Sequence, residues 1–140
     1  MERRPITQRE FINYARGLGN YCTYGDAQAA LEAVFKSFKQ ALGNGAGTLG
    51  DLLPESVKPV WDGAAPGGTP GSSIVDLVQA YGSLATRRDA EIALVTLFGT
   101  IKEKQSWLKQ EWEKAIPAEV KTYWEKSRTI DEVQDAGQCL

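Results

Sequence analysis

Apolar residues recur along this chain at three- and four-residue steps. Ala27, Ala30, Leu31, Val34, Phe35, Phe38 and Leu42 form one stripe, and Ala90, Ala93, Leu94, Leu97, Phe98 and Ile101 form another. That spacing lays each set on one face of an amphipathic helix. Both stripes open with the same start signal, Thr23-x-x-Asp26 and Thr86-x-x-Asp89. A threonine hydroxyl there accepts an orphan amide of the first turn, and the acid suits the positive end of the helix dipole. A shorter helix is predicted before each. Thr7-x-x-Glu10 caps a segment with Phe11, Tyr14, Ala15 and Leu18 on one face, and Ser73-x-x-Asp76 caps one with Ile74, Leu77, Val78 and Tyr81. A third element in each half starts near a proline, which a first helical turn tolerates. "LPESVKPVW" groups Val57, Val60 and Trp61, and "IPAEVKTYW" groups Val120, Tyr123 and Trp124. "KQSWLKQEWEKA" predicts an extra helix in the second half, where the first half has a glycine loop. Thr129-x-x-Glu132 predicts a short last one.

The two halves share one register. "DAQAALEAVF" from Asp26 and "DAEIALVTLF" from Asp89 set an offset of 63 residues. At that offset Phe35 meets Phe98, Lys39 meets Lys102, Pro54 meets Pro117 and Trp61 meets Trp124. Upstream, Phe11, Ile12 and Gly19 meet Ile74, Val75 and Gly82. An ungapped register that holds at both ends predicts a duplication. A unit of about 60 residues buries too little surface to be comfortable alone, and two copies fall short of a solenoid. The expected fold is therefore all-α: a helical bundle built from two tandem three-helix repeats related by a pseudo-twofold axis. It forms a single domain over residues 1–140. Repeat one spans about 7–61, "DGAAPGGTPGSS" is a linker over 62–73, repeat two spans about 74–126, and a short helix or tail covers 127–140.

Composition narrows the function classes. Hydrophobic residues make up 42% and charged residues 24%, enough apolar content to build a core. A net charge of −2 offers no basic field for a phosphate backbone, so no nucleic-acid partner is expected. No apolar run approaches a membrane span, and "MERRPITQRE" lacks the apolar centre of a signal peptide. Cys22 and Cys139 lie far apart without a CxxC pattern. They are expected to be free thiols in a reducing cytoplasm. There is no histidine. That removes the usual general base, a common metal ligand and the Ser–His and Cys–His nucleophile pairs. No catalytic residue, cofactor or metal site is expected.

"GAGTLG", residues 45–50, matches the dinucleotide fingerprint G-x-G-x-x-G. That chemistry needs a buried strand before it and a helix N-terminus facing the pyrophosphate. An amphipathic helix precedes it here and Pro54 follows closely, so a helix C-cap and loop are expected. Trp61 and Trp124 are expected as core anchors on Phe35 or Phe98, with a pocket for an apolar small molecule between the repeats as the alternative. Trp107 and Trp112 have no tryptophan counterpart in the first half, which makes them candidates for a partner surface. Five residues of helix turn them about 140° apart, so one is expected inside and the other at the surface. Arg87 and Arg88 open a helix, where cations oppose the dipole. They are candidates for an anion or an acidic partner.

The order helix, helix, "LP…W", written twice, resembles the DUF2267 family of bacterial and archaeal helical proteins. The residues that carry the likeness are "DAQAALEAVFKSFKQAL…LLPESVKPVWDG" and its echo "DAEIALVTLF…IPAEVKTYW", over roughly residues 9–126. The resemblance implies an all-α fold and a prokaryotic source, and it implies no activity. The expected function is binding without catalysis, with a protein partner or a second copy of the chain.

Overall fold

The computed structural model describes residues 6–67 and 73–129. Each half contributes four α-helices. The first half holds α1 (Gln8–Gly19), α2 (Tyr24–Leu42), α3 (Gly47–Leu52) and α4 (Lys58–Gly63). The second holds α5 (Ile74–Tyr81), α6 (Arg87–Lys104), α7 (Lys109–Ala115) and α8 (Lys121–Lys126). No strand occurs among the described residues, and none of their helices is long and apolar enough to cross a membrane.

The start signals do what their spacing predicts. The hydroxyls of Thr7, Thr23, Ser73 and Thr86 accept from the amides of Glu10, Asp26, Asp76 and Asp89 at 3.0–3.1 Å. Glu10 also accepts from the Thr7 amide at 3.2 Å, which completes a capping box. α1 and α5 stop in the same kind of turn. Asn20 and Ser83 take positive φ values of 61° and 51°. The amides of Tyr21 and Leu84 then reach back to the carbonyls of Arg16 and Gln79, each at 2.9 Å. A left-handed residue there satisfies carbonyls that the helix end would otherwise orphan.

The helices cross between halves. α1 lies against α6 as well as α2, and α5 lies against α2 as well as α6. α2 and α6 meet at the centre, where Phe38 and Phe98 stack with their centroids 6.3 Å apart. One cluster of buried side chains runs from Phe11 to Trp124 through both halves.

Two expectations are corrected here. The stretch after Leu42 is no open glycine loop: Gly43–Ala46 form a 3₁₀ turn and Gly47–Leu52 form α3. Ala46, Leu49 and Leu53 fall at three- and four-residue steps and are all buried, and that burial outweighs the entropy cost of glycine in a helix. The helix of "KQSWLKQEWEKA" is consequently no addition, because α7 stands where α3 stands 63 residues earlier, and among the described residues each half shows four α-helices, not three. The second correction concerns Cys22, which is disulfide-bonded. The argument from free thiols to a reducing compartment falls with it. The helix expected after Thr129 and the centre of the linker lie outside the described residues.

Candidate functional site

The two tryptophans of the "LP…W" elements sit in matching nests. Trp61 meets Phe35 edge-on, centroids 5.2 Å apart at 61°, and Trp124 meets Phe98 at 5.4 Å and 69°. The Lys39 ammonium stands 5.0 Å from the Trp61 ring centre and donates to the carbonyls of Trp61 and Ala64. Lys102 stands 4.9 Å from the Trp124 ring centre and donates to the carbonyls of Trp124 and Ser127, at 2.6 and 3.2 Å. Each lysine thus caps the C-terminal end of a short helix, where the dipole favours a cation. Burial holds the Lys39 ammonium below its usual pKa, with Asp62 acting the other way.

The nests differ at one position. The Trp124 indole donates from Nε1 to Glu113 at 3.1 Å. Gly50 occupies that place in the first half. A Cβ there would lie 2.5 Å from Nε1 of Trp61, so the missing side chain is what admits the indole. Each indole is walled by a phenylalanine and a lysine of its own half.

Trp107 and Trp112 part company. Trp112 on α7 is fully buried, and its Nε1 has no hydrogen-bond partner. It takes the place that Leu49 holds 63 residues earlier, also fully buried. Trp107, in the 3₁₀ turn Ser106–Leu108, is 39% exposed, the one large exposed hydrophobic among the described residues. Lys109 and Glu111 are exposed nearby in sequence.

Arg87 and Arg88 both lie exposed in the first turn of α6. Arg87 is not open to an anion in the way its position suggests, because it donates to Asp76 of α5 at 2.8 Å. Nearby, the Tyr123 hydroxyl donates to Glu91 at 2.8 Å, and Glu119 accepts from the Ile74 amide at 3.2 Å. Burial and then the Glu91 carboxylate push the Tyr123 phenol up. These bonds join residues 11, 32 and 45 positions apart, so no local pattern announces them.

A groove of about 300 Å³ opens between the end of α1, the middle of α6 and the end of α8. Leu18, Ile92 and Val95 give it an apolar lining, and Asn20, Lys126 and Arg128 contribute polar groups. Gly99 shapes it, since a Cβ there would collide with the Arg128 carbonyl and with Leu18. The Tyr21 ring lies across Gly19 towards Thr96. Burial pushes its phenol up to about 12, although Thr96 nearby favours the ionised form, and its oxygen closes no well-formed hydrogen bond. Sequence reasoning missed this groove. The one available signal was a glycine inside an apolar helix, "LFGT", which marks a close approach of backbone.

No protein-family model, curated protein or solved structure matches this chain. "GAGTLG" spans the 3₁₀ turn and α3, with α2 in front of it. The fingerprint therefore lacks the strand that nucleotide binding requires. No group of three or more His, Cys, Asp or Glu able to hold a metal ion converges among the described residues.

Proposed function

We propose that this chain is a tandemly duplicated helical module that works by binding, without catalysis, to a protein partner or a second copy of itself. The duplication is supported residue by residue at the 63-position offset. Lys39 with Trp61 is matched by Lys102 with Trp124. The back-bond from the Ser37 hydroxyl to Ala33, 2.7 Å, is matched by that from Thr100 to Thr96, also 2.7 Å. Four-helix repeats about a pseudo-twofold axis, and membership of the DUF2267 family, belong to the same reading.

The observation that carries the binding role is the exposed indole of Trp107. Large aromatics are costly to leave in water, and an exposed indole with the charged residues Lys109 and Glu111 close by in sequence suits an interface anchor. The alternative of an apolar ligand beside Trp61 and Trp124 has less support, because each indole is already packed on a phenylalanine of its own half. The test pairs sedimentation equilibrium and partner pull-down with a thermal melt. Trp107→Ala is expected to weaken association and leave the melt nearly unchanged. Association that persists in Trp107→Ala would place the binding surface elsewhere.

A further inference from the structure

The groove between the ends of α1 and α8 is lined by two chemistries. We propose that it is a binding site for a small aliphatic carboxylate, with the hydrocarbon chain on Leu18, Ile92 and Val95 and the carboxylate held by Lys126 and Arg128. This site stands apart from Trp107, which lies in the turn after α6.

Leu18, Ile92 and Val95 are half-buried aliphatics, whereas Lys126 and Arg128 are exposed cations at the end of α8. Neither cation closes an ion pair among the described residues. A volume of about 300 Å³ lies at the small end of ligand sites, so the occupant is small. The charges also give the groove a direction. Burial, and after it the field of Asp89 in the first turn of α6, keeps the Tyr21 phenol beside the end of α1 protonated. A carboxylate is therefore repelled from the α1 side and drawn to the α8 side, where Lys126 and Arg128 stand.

The first half lacks these residues. At the 63-residue offset Leu18 meets Tyr81, Ile92 meets Ala29, Val95 meets Glu32, Gly99 meets Lys36, and Lys126 and Arg128 meet Gly63 and Ala65. In that place the Lys36 ammonium stands 5.8 Å from the centre of the Tyr81 ring, and the Tyr81 hydroxyl donates to Gln40. A long side chain thus occupies the position that Gly99 leaves bare. The lining aliphatics and the two cations are departures from what the halves share. Apolar side chains left half in water forgo part of their burial energy, and an occupant of matching chemistry restores it.

The test is a titration of the full chain, followed by amide NMR shifts, with octanoate, 1-octanol and acetate as probes. Octanoate should move the amides of 18–20, 92–96 and 126–128 saturably, with a dissociation constant below about 1 mM. Octanol lacks the charge and acetate lacks the chain, and each should bind at least about tenfold more weakly. Lys126→Gln/Arg128→Gln should weaken octanoate about tenfold and leave the melt unchanged, because both side chains are exposed. Val95→Glu installs the residue of the first half and should abolish the shifts. Trp107→Ala should leave octanoate binding intact, which separates this site from the association surface. Shifts that fail to saturate at these amides, octanol that binds as tightly as octanoate, or undiminished affinity in the double variant would each overturn the assignment. A peptide with a free C-terminal leucine that saturates the same amides more tightly than octanoate also overturns it, and makes the groove a seat for a chain end.

Discussion

The ammonium of Lys102 lies 4.9 Å from the ring centre of Trp124 and donates at 2.6 Å to that same residue's carbonyl. One side chain thus covers the indole and closes the end of α8. Lys102→Met keeps the aliphatic reach and removes the donors. Charge-assisted hydrogen bonds contribute about 1.5–3 kcal/mol each, so the variant is expected to lose about that much in a urea titration. Lys39→Met should lose a similar amount. A loss confined to one of the two would show that the matching geometry hides unequal roles.

Alkaline pH should weaken the fold through Tyr21. Its phenol is raised from 10.0 to about 12 by burial. A raised acid holds its proton longer in the folded chain than in the unfolded one. Stability is therefore fully present below pH 10, falls as pH climbs through 10 towards 12, and levels off beyond. A shift of about 2 units corresponds to about 2–3 kcal/mol. Tyr21→Phe should flatten that part of the profile when stability is followed from pH 8 to 12, and an unchanged slope would assign the loss to other groups.

Gly50 should not tolerate a methyl group. Its Cβ would stand 2.5 Å from Nε1 and 2.8 Å from Cε2 of Trp61, a ring held between Phe35 and Lys39. Overpacking of this kind costs about 1–3 kcal/mol. Gly63→Ala is the matched control, because nothing lies within 4 Å of its added atom, and it should stay within about 0.5 kcal/mol. Equal melts for the two variants would mean that the Trp61 nest is looser than its geometry.

Phe98 is the aromatic that both halves use. It is fully buried, stacks on Phe38 of α2 and receives the edge of Trp124. Phe98→Ala is expected to cost about 3–5 kcal/mol, which is a large part of the ~5–15 kcal/mol that holds a small domain together. A thermal melt with no loss would break the assignment of this helix face.

Helix starts were legible because their causes are local. A threonine or serine three residues before an acid caps its own first turn, and four of the five such predictions land on observed caps, while the fifth, Thr129-x-x-Glu132, runs outside the described residues. The apolar stripes of α2 and α6 were legible for the same reason, since Phe35 and Phe98 repeat a helical period that any packing must bury. α3 was not, because its glycines argue for a loop when read alone. Only the burial of Ala46, Leu49 and Leu53 beneath neighbouring helices reverses that balance. Trp112 and Trp107 show the same division. Their spacing said that they would separate, and packing against the rest of the chain decided which one was buried.

By itself, then, the sequence determined what depends on near neighbours: helix type, caps, the 63-residue echo and the apolar faces. Tertiary structure alone decided what depends on distant partners. It crossed α1 onto α6 and α5 onto α2, paired Arg87 with Asp76, set Glu113 against Trp124 where Gly50 yields to Trp61, and opened the groove between the ends of α1 and α8. The physical reason is range. A cap or an amphipathic stripe satisfies groups a turn or two away, whereas a groove or a long-range pair exists only once packing has brought together residues that no local pattern relates.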